Sequence, residues 1–287
     1  MQTVDTFLKR YSVLIYFVLT LVISWGCLLL IMGPGGFIGV ADVPANRIPL
    51  LFPGMFLGPT IAGLLMTGLV HGRSGLGELL ARLRHWRVGA IWYGIAILTA
   101  PALVAGASLV LSPSSPGYVP GIVTSSDRMT LLVSGLVVGA LVGIFEELGW
   151  FGFAIPRLRL CFGTLATGLI VGLVWGLWHL PLFTFSARSS QIIPPVLTLA
   201  VMLFSFLPAF RVLMVWVYDR TGSLLVAMLM HLSQTATTYI FAIPATADET
   251  VVHDLVYTAG LWIFIALISL VNRGRLQAGA QARPAIS

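Results

Sequence analysis

The sequence predicts an all-α, polytopic membrane protein with eight transmembrane helices and both termini in the cytoplasm. Three observations predict it. Of the 287 residues, 58% are hydrophobic and only 9% are charged, against about 25% charged in a soluble globular domain. The apolar residues gather in eight runs of spanning length, none with the period-two alternation of a barrel strand. Lysine and arginine then sort to one side of the membrane. The mean hydropathy of +0.98 agrees.

In chain order the expected spans are 12–32, 50–70, 88–111, 130–154, 164–186, 193–217, 222–243 and 254–271. Lys9 and Arg10 precede the first. It is too long for a signal-peptide core and no A-x-A-like site follows, so it reads as a retained span. Pro34, Gly35 and Gly36 close it, and Ser112–Pro113 with Ser115–Pro116 break the chain after the third. Pro194 and Pro195 open the sixth. The segment before the eighth is acidic, with Asp248, Glu249 and Asp254.

With the N-terminus inside, the inner side holds Lys9, Arg10, Arg73, Arg82, Arg84, Arg87, Arg157, Arg159, Arg220, Arg273, Arg275 and Arg283, with Arg211 near the inner end of the sixth span. The outer side holds only Arg47, Arg128 and Arg188. Adding or losing one span scrambles this division, which supports the count of eight. The net charge of +6 therefore reports orientation, not nucleic-acid binding. Arg82, Arg84 and Arg87 read as a topology and anionic-lipid cluster. Cys27 and Cys161 form no CxxC or CxxH pattern, which speaks against a disulfide framework or a cysteine zinc site; both read as small helix fillers. The chain reads as a single membrane domain, 1–287, with its chemistry in 130–245. Short loops suit a bacterial plasma membrane.

Three spans carry ionisable groups that lipid disfavours. A carboxylate at membrane depth costs about 2.5–3.5 kcal/mol on insertion scales, yet Glu146 and Glu147 stand side by side in GLVVGALVGIFEELGWFGF. His179 lies in VWGLWHLPLF and His231 in MLMHLSQTATT. Gly135, Gly139 and Gly143 recur every four residues on one helix face, flanked by the two glutamates. Gly168, Gly172 and Gly176 do the same ahead of His179. Small-residue stripes admit close helix neighbours, so these groups should face protein. If the two stripes packed on each other, Glu146 and His179 would lie about 20 Å apart at ~1.5 Å rise per residue. The stripes are therefore expected to face other helices.

Burial disfavours a carboxylate's charged form and suits Glu146 to take a proton from water. His179 could share that proton, and His231 with Thr235, one turn on, could stabilise an oxyanion. Two histidines and a glutamate are also a catalytic zinc ligand set, Glu146, His179 and His231, with Glu147 then the base. The residues leave both mechanisms open. The ordinary alternatives are helix-bridging carboxylates, satisfied intramembrane histidines, and packing roles for Trp150, Trp175 and Trp178. His71, His85 and His253 read as interfacial.

EELGWFGFAIPRL, WGLWHLPLF and HLSQT, in that order on separate spans, resemble the motifs EExxxR, FxxxH and HxxxN of the CAAX-processing and bacteriocin-processing intramembrane protease family, which includes the type II CAAX prenyl protease. The resemblance implies an eight-helix bundle and an endopeptidase with a water nucleophile. It matches Glu146 to the proposed base, Glu147 to the second glutamate, and His179 and His231 to the motif histidines. The substrate implied is a membrane-associated peptide or lipidated protein. Three positions depart: Phe151 replaces the arginine, Trp175 the phenylalanine and Thr235 the asparagine. Arg157 is put forward as a substitute for the arginine. The departures keep a competing expectation alive, a non-catalytic scaffold or immunity protein on the same fold. A proton-coupled transporter is a further competitor, though no inverted repeat accompanies the ionisable residues.

Overall fold

Each expected span becomes a long helix in the computed structural model, which describes residues 7–186, 195–243 and 245–271. In chain order these are α1 (Ser12–Phe37), α2 (Leu51–Arg84), α3 (Ala90–Leu111), α4 (Arg128–Gly149), α5 (Thr164–Ser186), α6 (Leu207–Thr221), α7 (Leu224–Ile240) and α8 (Ala247–Val271). A π-helical turn, Trp150–Ala154, and a short helix, Ile155–Leu158, prolong α4. The segment Pro195–Val201 and a second π turn, Met202–Phe206, lead into α6. Among the described residues seven helical stretches are long and apolar enough to cross a membrane, and α7 is a shorter apolar helix. The protein is an all-α polytopic membrane protein. Large apolar side chains such as Leu30, Leu109 and Leu270 point outward, as lipid permits.

Most boundaries fall within a few residues of expectation. Two do not. α8 starts at Ala247, so the acidic segment is its first turns and not a loop. The Thr246 hydroxyl accepts from the Glu249 N–H at 3.2 Å while Glu249 Oε2 accepts from the Thr246 N–H at 2.8 Å, a reciprocal cap. α2 continues to Arg84 across a break at Gly72, whose φ of 60° favours glycine. Asp127 caps α4, accepting from the Thr130 N–H at 3.1 Å; that bond and a second from the Thr130 side chain hold its carboxyl below the usual range. Cys161 is exposed in the turn before α5 and fills no helix. Arg188, Pro194, Arg273, Arg275 and Arg283 lie outside the described residues.

The glycine stripes do face other helices. α4 lies on α7: a Cβ at Gly139 would stand 2.6 Å from the Leu232 carbonyl oxygen, and one at Gly143 2.5 Å from that of Met228. α5 lies on α6 and the π turn that precedes it: a Cβ at Gly168, Gly172 or Gly176 would meet the backbone of Val212, Pro208 or Leu203 at 2.5, 2.4 or 2.2 Å. Real Cβ atoms do not come so near backbone, so only glycine allows these contacts. Because each stripe has its own partner, α4 and α5 need no glycine-to-glycine register, and the α4 glutamates are free to meet α5 residues. Introducing Val at Gly143 should destabilise the bundle by about 1–3 kcal/mol through overpacking. Gly94→Ala, where a Cβ meets nothing within 4 Å, should be neutral or slightly stabilising. Thermal melts of the detergent-solubilised variants check the contrast.

Candidate active site

Glu146 and Glu147 occupy the last turn of regular helix in α4, just before the π turn. There the Trp150 N–H reaches the carbonyls of both glutamates. π turns widen a helix locally and re-aim its side chains. The carbonyls of this turn are held from outside: Arg82 donates to Phe151 O at 3.1 Å, to Gly152 O at 2.7 Å and to the Tyr218 hydroxyl at 3.0 Å. Arg82, expected as a topology and lipid residue, thus also braces the segment that carries the glutamates.

The two glutamates have different neighbours. Glu147 is fully buried and accepts from Arg211 Nη1 at 2.9 Å on each of its oxygens. Its Oε1 also accepts from His231 Nδ1 at 2.5 Å. Arg211, expected near the inner end of its span, is instead fully buried within α6. Its guanidinium carbon stands 4.0 Å from the centre of the Trp175 ring, with Phe151 at 5.6 Å and Trp150 at 5.9 Å. Among the described residues Arg211 Nε and Nη2 have no hydrogen-bond partner; aromatic faces surround them instead. A buried ion pair tolerates loss of either member poorly, at about 3–5 kcal/mol.

Glu146, 2% exposed, turns towards α5. Its Oε2 accepts from the Trp175 indole N–H at 2.8 Å. The Trp175 carbonyl contacts His179 Nδ1 at 2.9 Å. The Trp175 ring also meets both imidazoles edge to face, at 5.1 Å for His179 and 5.2 Å for His231. One indole therefore touches Glu146, Arg211, His179 and His231. Trp178 at 4.6 Å and Phe183 at 5.5 Å complete an aromatic wall around His179, which keeps some accessible surface. Thr235 is half-buried one turn beyond His231, and no hydrogen bond joins its side chain to the other groups among the described residues.

Residues 128–237 match the family described as type II CAAX prenyl endopeptidase Rce1-like. That stretch holds both glutamates, Arg211, Trp175, His179, His231 and Thr235. A relative named CAAX prenyl protease 2, from Methanococcus maripaludis, is 20% identical over 272 residues, covering 92% of this chain and 95% of its own length. Over residues 128–237 the chain is similar to the Rce1-like family.

Against the motifs quoted above, the site differs from expectation in three ways. Arg157 is not the partner of Glu147: it donates to Phe153 O at 2.9 Å and lies 3.6 Å over the Phe153 ring. Trp175, expected as packing, supplies the indole N–H held by Glu146, a donor that a phenylalanine lacks. Glu146 and His179 share no direct hydrogen bond and are joined through Trp175. The zinc set fares no better. Among the described residues no three His, Cys, Asp or Glu side chains are placed to hold one ion. The metalloprotease reading therefore finds no support in the placement of these side chains. His253, expected at an interface, is buried in α8 against the Ser108 hydroxyl at 3.1 Å.

The different settings of the glutamates predict different costs. Glu147→Gln leaves Arg211 buried without its counter-charge and should destabilise the protein by about 3–5 kcal/mol. Glu146→Gln keeps an acceptor for Trp175 and should cost less than about 1 kcal/mol. Side-by-side melting curves of the two single variants test this.

Proposed function

We propose that this chain is a membrane-embedded endopeptidase that hydrolyses a peptide bond in a prenylated or otherwise membrane-associated substrate, with Glu146 as general base. One observation carries the reading: a buried carboxylate and two imidazoles surround a single indole, on helices matched to a family described as prenyl endopeptidases. The relatives' names supply the substrate class. The scaffold and transporter readings are not favoured.

Hydrogen-bond logic gives the histidines separate tasks. A carbonyl only accepts, so His179 Nδ1 carries the proton and its Nε2 is an acceptor in the neutral ring. His231 Nδ1 donates to a carboxylate. In the doubly protonated ring its Nε2–H is a donor for an oxyanion. In the reaction, Glu146 removes one proton as the water oxygen bonds to the substrate carbonyl carbon. His179 orients that water and shares the proton. His231, with the Thr235 hydroxyl, stabilises the tetrahedral oxyanion. The C–N bond then breaks, the proton passes from Glu146 to the leaving nitrogen, and a carboxylate and an amine are released.

A general base contributes about 10²–10⁴-fold to rate. Glu146→Gln should therefore lower cleavage of a farnesylated peptide ending in Cys-aliphatic-aliphatic-X by that factor, read by mass spectrometry of the released tripeptide. Its melting temperature should stay close to that of the parent. Turnover equal to the parent's rules Glu146 out as the base.

A further inference from the structure

We propose that this chain has moved the positive charge of its first motif from position 151 to Arg211, and that Arg211 is a positioning residue acting through Glu147 on His231. The inference rests on the protease reading for the role of His231, but not for the relocation itself.

The motif places an arginine four residues after the second glutamate, one helical turn away on the same face. Here that position is Phe151, fully buried. An uncompensated carboxylate at Glu147, with no solvent access, is strongly disfavoured, so a cation must come from another helix. Arg211 supplies it from α6, with Nη1 at 2.9 Å from both carboxylate oxygens. The Phe151 ring lies 5.6 Å from the Arg211 guanidinium carbon. The vacated position and the incoming charge are thus neighbours, and the phenyl ring lines the space beside the guanidinium. The second departure fits the first. Trp175 presents its face to Arg211 at 4.0 Å, and indole is the best aromatic partner for a cation. Arg159, by contrast, is engaged with Asp219 at 2.9 Å, and Arg157 with Phe153. Among the described residues Arg211 is the one arginine hydrogen-bonded to Glu147. The consequence reaches His231 because Glu147 Oε1 holds Nδ1; a carboxylate that loses its guanidinium is no longer fixed to hold that ring.

The test is a charge relocation in the purified full chain. Arg211→Leu should lower the melting temperature by roughly 10 °C and lower kcat on the farnesylated peptide by about 10²-fold, with KM changed less than about threefold. Adding Phe151→Arg to Arg211→Leu should recover at least half of the melting temperature and raise kcat about tenfold or more over the single variant. A double variant no more stable than Arg211→Leu overturns the relocation. Recovery of stability without recovery of kcat overturns the positioning role. If the parent cleaves no prenylated peptide, the protease reading fails, while the melting temperatures still decide the relocation. If Arg211→Leu does not fold, Phe151→Arg/Arg211→Leu is compared with the neutralised pair Glu147→Gln/Arg211→Leu. Folding of the relocated pair supports the proposal; its failure, whether or not the neutralised pair folds, overturns it.

Discussion

Between α4 and α6 a carboxylate and a guanidinium face each other with no solvent access on either side. Neither charge is tolerable alone at that depth. Their pairing therefore fixes how α4 and α6 sit, and the rest of the site is placed relative to them. His231 brings α7 to the same carboxylate. Trp175 brings α5 by covering the guanidinium. Four helices are thus tied to one buried pair, with the remaining glutamate held beside it on the indole N–H.

Close packing makes this convergence geometrically feasible. The α4 glycines draw α7 in until its backbone touches α4, and the α5 glycines do the same with α6. The first approach brings His231 within bonding distance of Glu147, and the second lays the Trp175 ring on the Arg211 guanidinium. With larger residues on those faces, the interaxial distances would grow, and hydrogen bonds of 2.5–2.9 Å would open. Small residues far from the chemistry thereby set distances inside it. The Arg82 bonds to the π turn act in the same direction, by satisfying carbonyls that a widened helix leaves open.

Much of this was legible in the chain. Eight apolar runs gave the helices, and Glu146, Glu147, His179 and His231 stood out because lipid disfavours them. The spacing of the glycines told which faces were packed. Arg211 was missed because it lies close to the expected end of its span, where snorkelling arginines are common. The helix in fact continues to Thr221 and the arginine points inward. Only contact with Glu147 reveals its task. Trp175 was missed because tryptophans are ordinary in membrane helices, and nothing in WGLWHLPLF says that one indole N–H meets a carboxylate from another span. Pairings between helices are set by rotation about each helix axis, which periodicity constrains to a face and not to a partner.

In the proposed mechanism the adjacent glutamates take opposite tasks, for a simple geometric reason. Successive residues on a helix point about 100° apart, so Glu147 and Glu146 look at different neighbours. Glu147 meets a permanent cation and an imidazole, whose hydrogen bonds fix its orientation. Glu146 meets a neutral indole donor, which places the carboxylate without neutralising it. A base must be able to change its protonation during turnover, and a group locked into an ion pair does so only by breaking that pair. In the proposed mechanism the proton therefore falls to the carboxylate without the guanidinium.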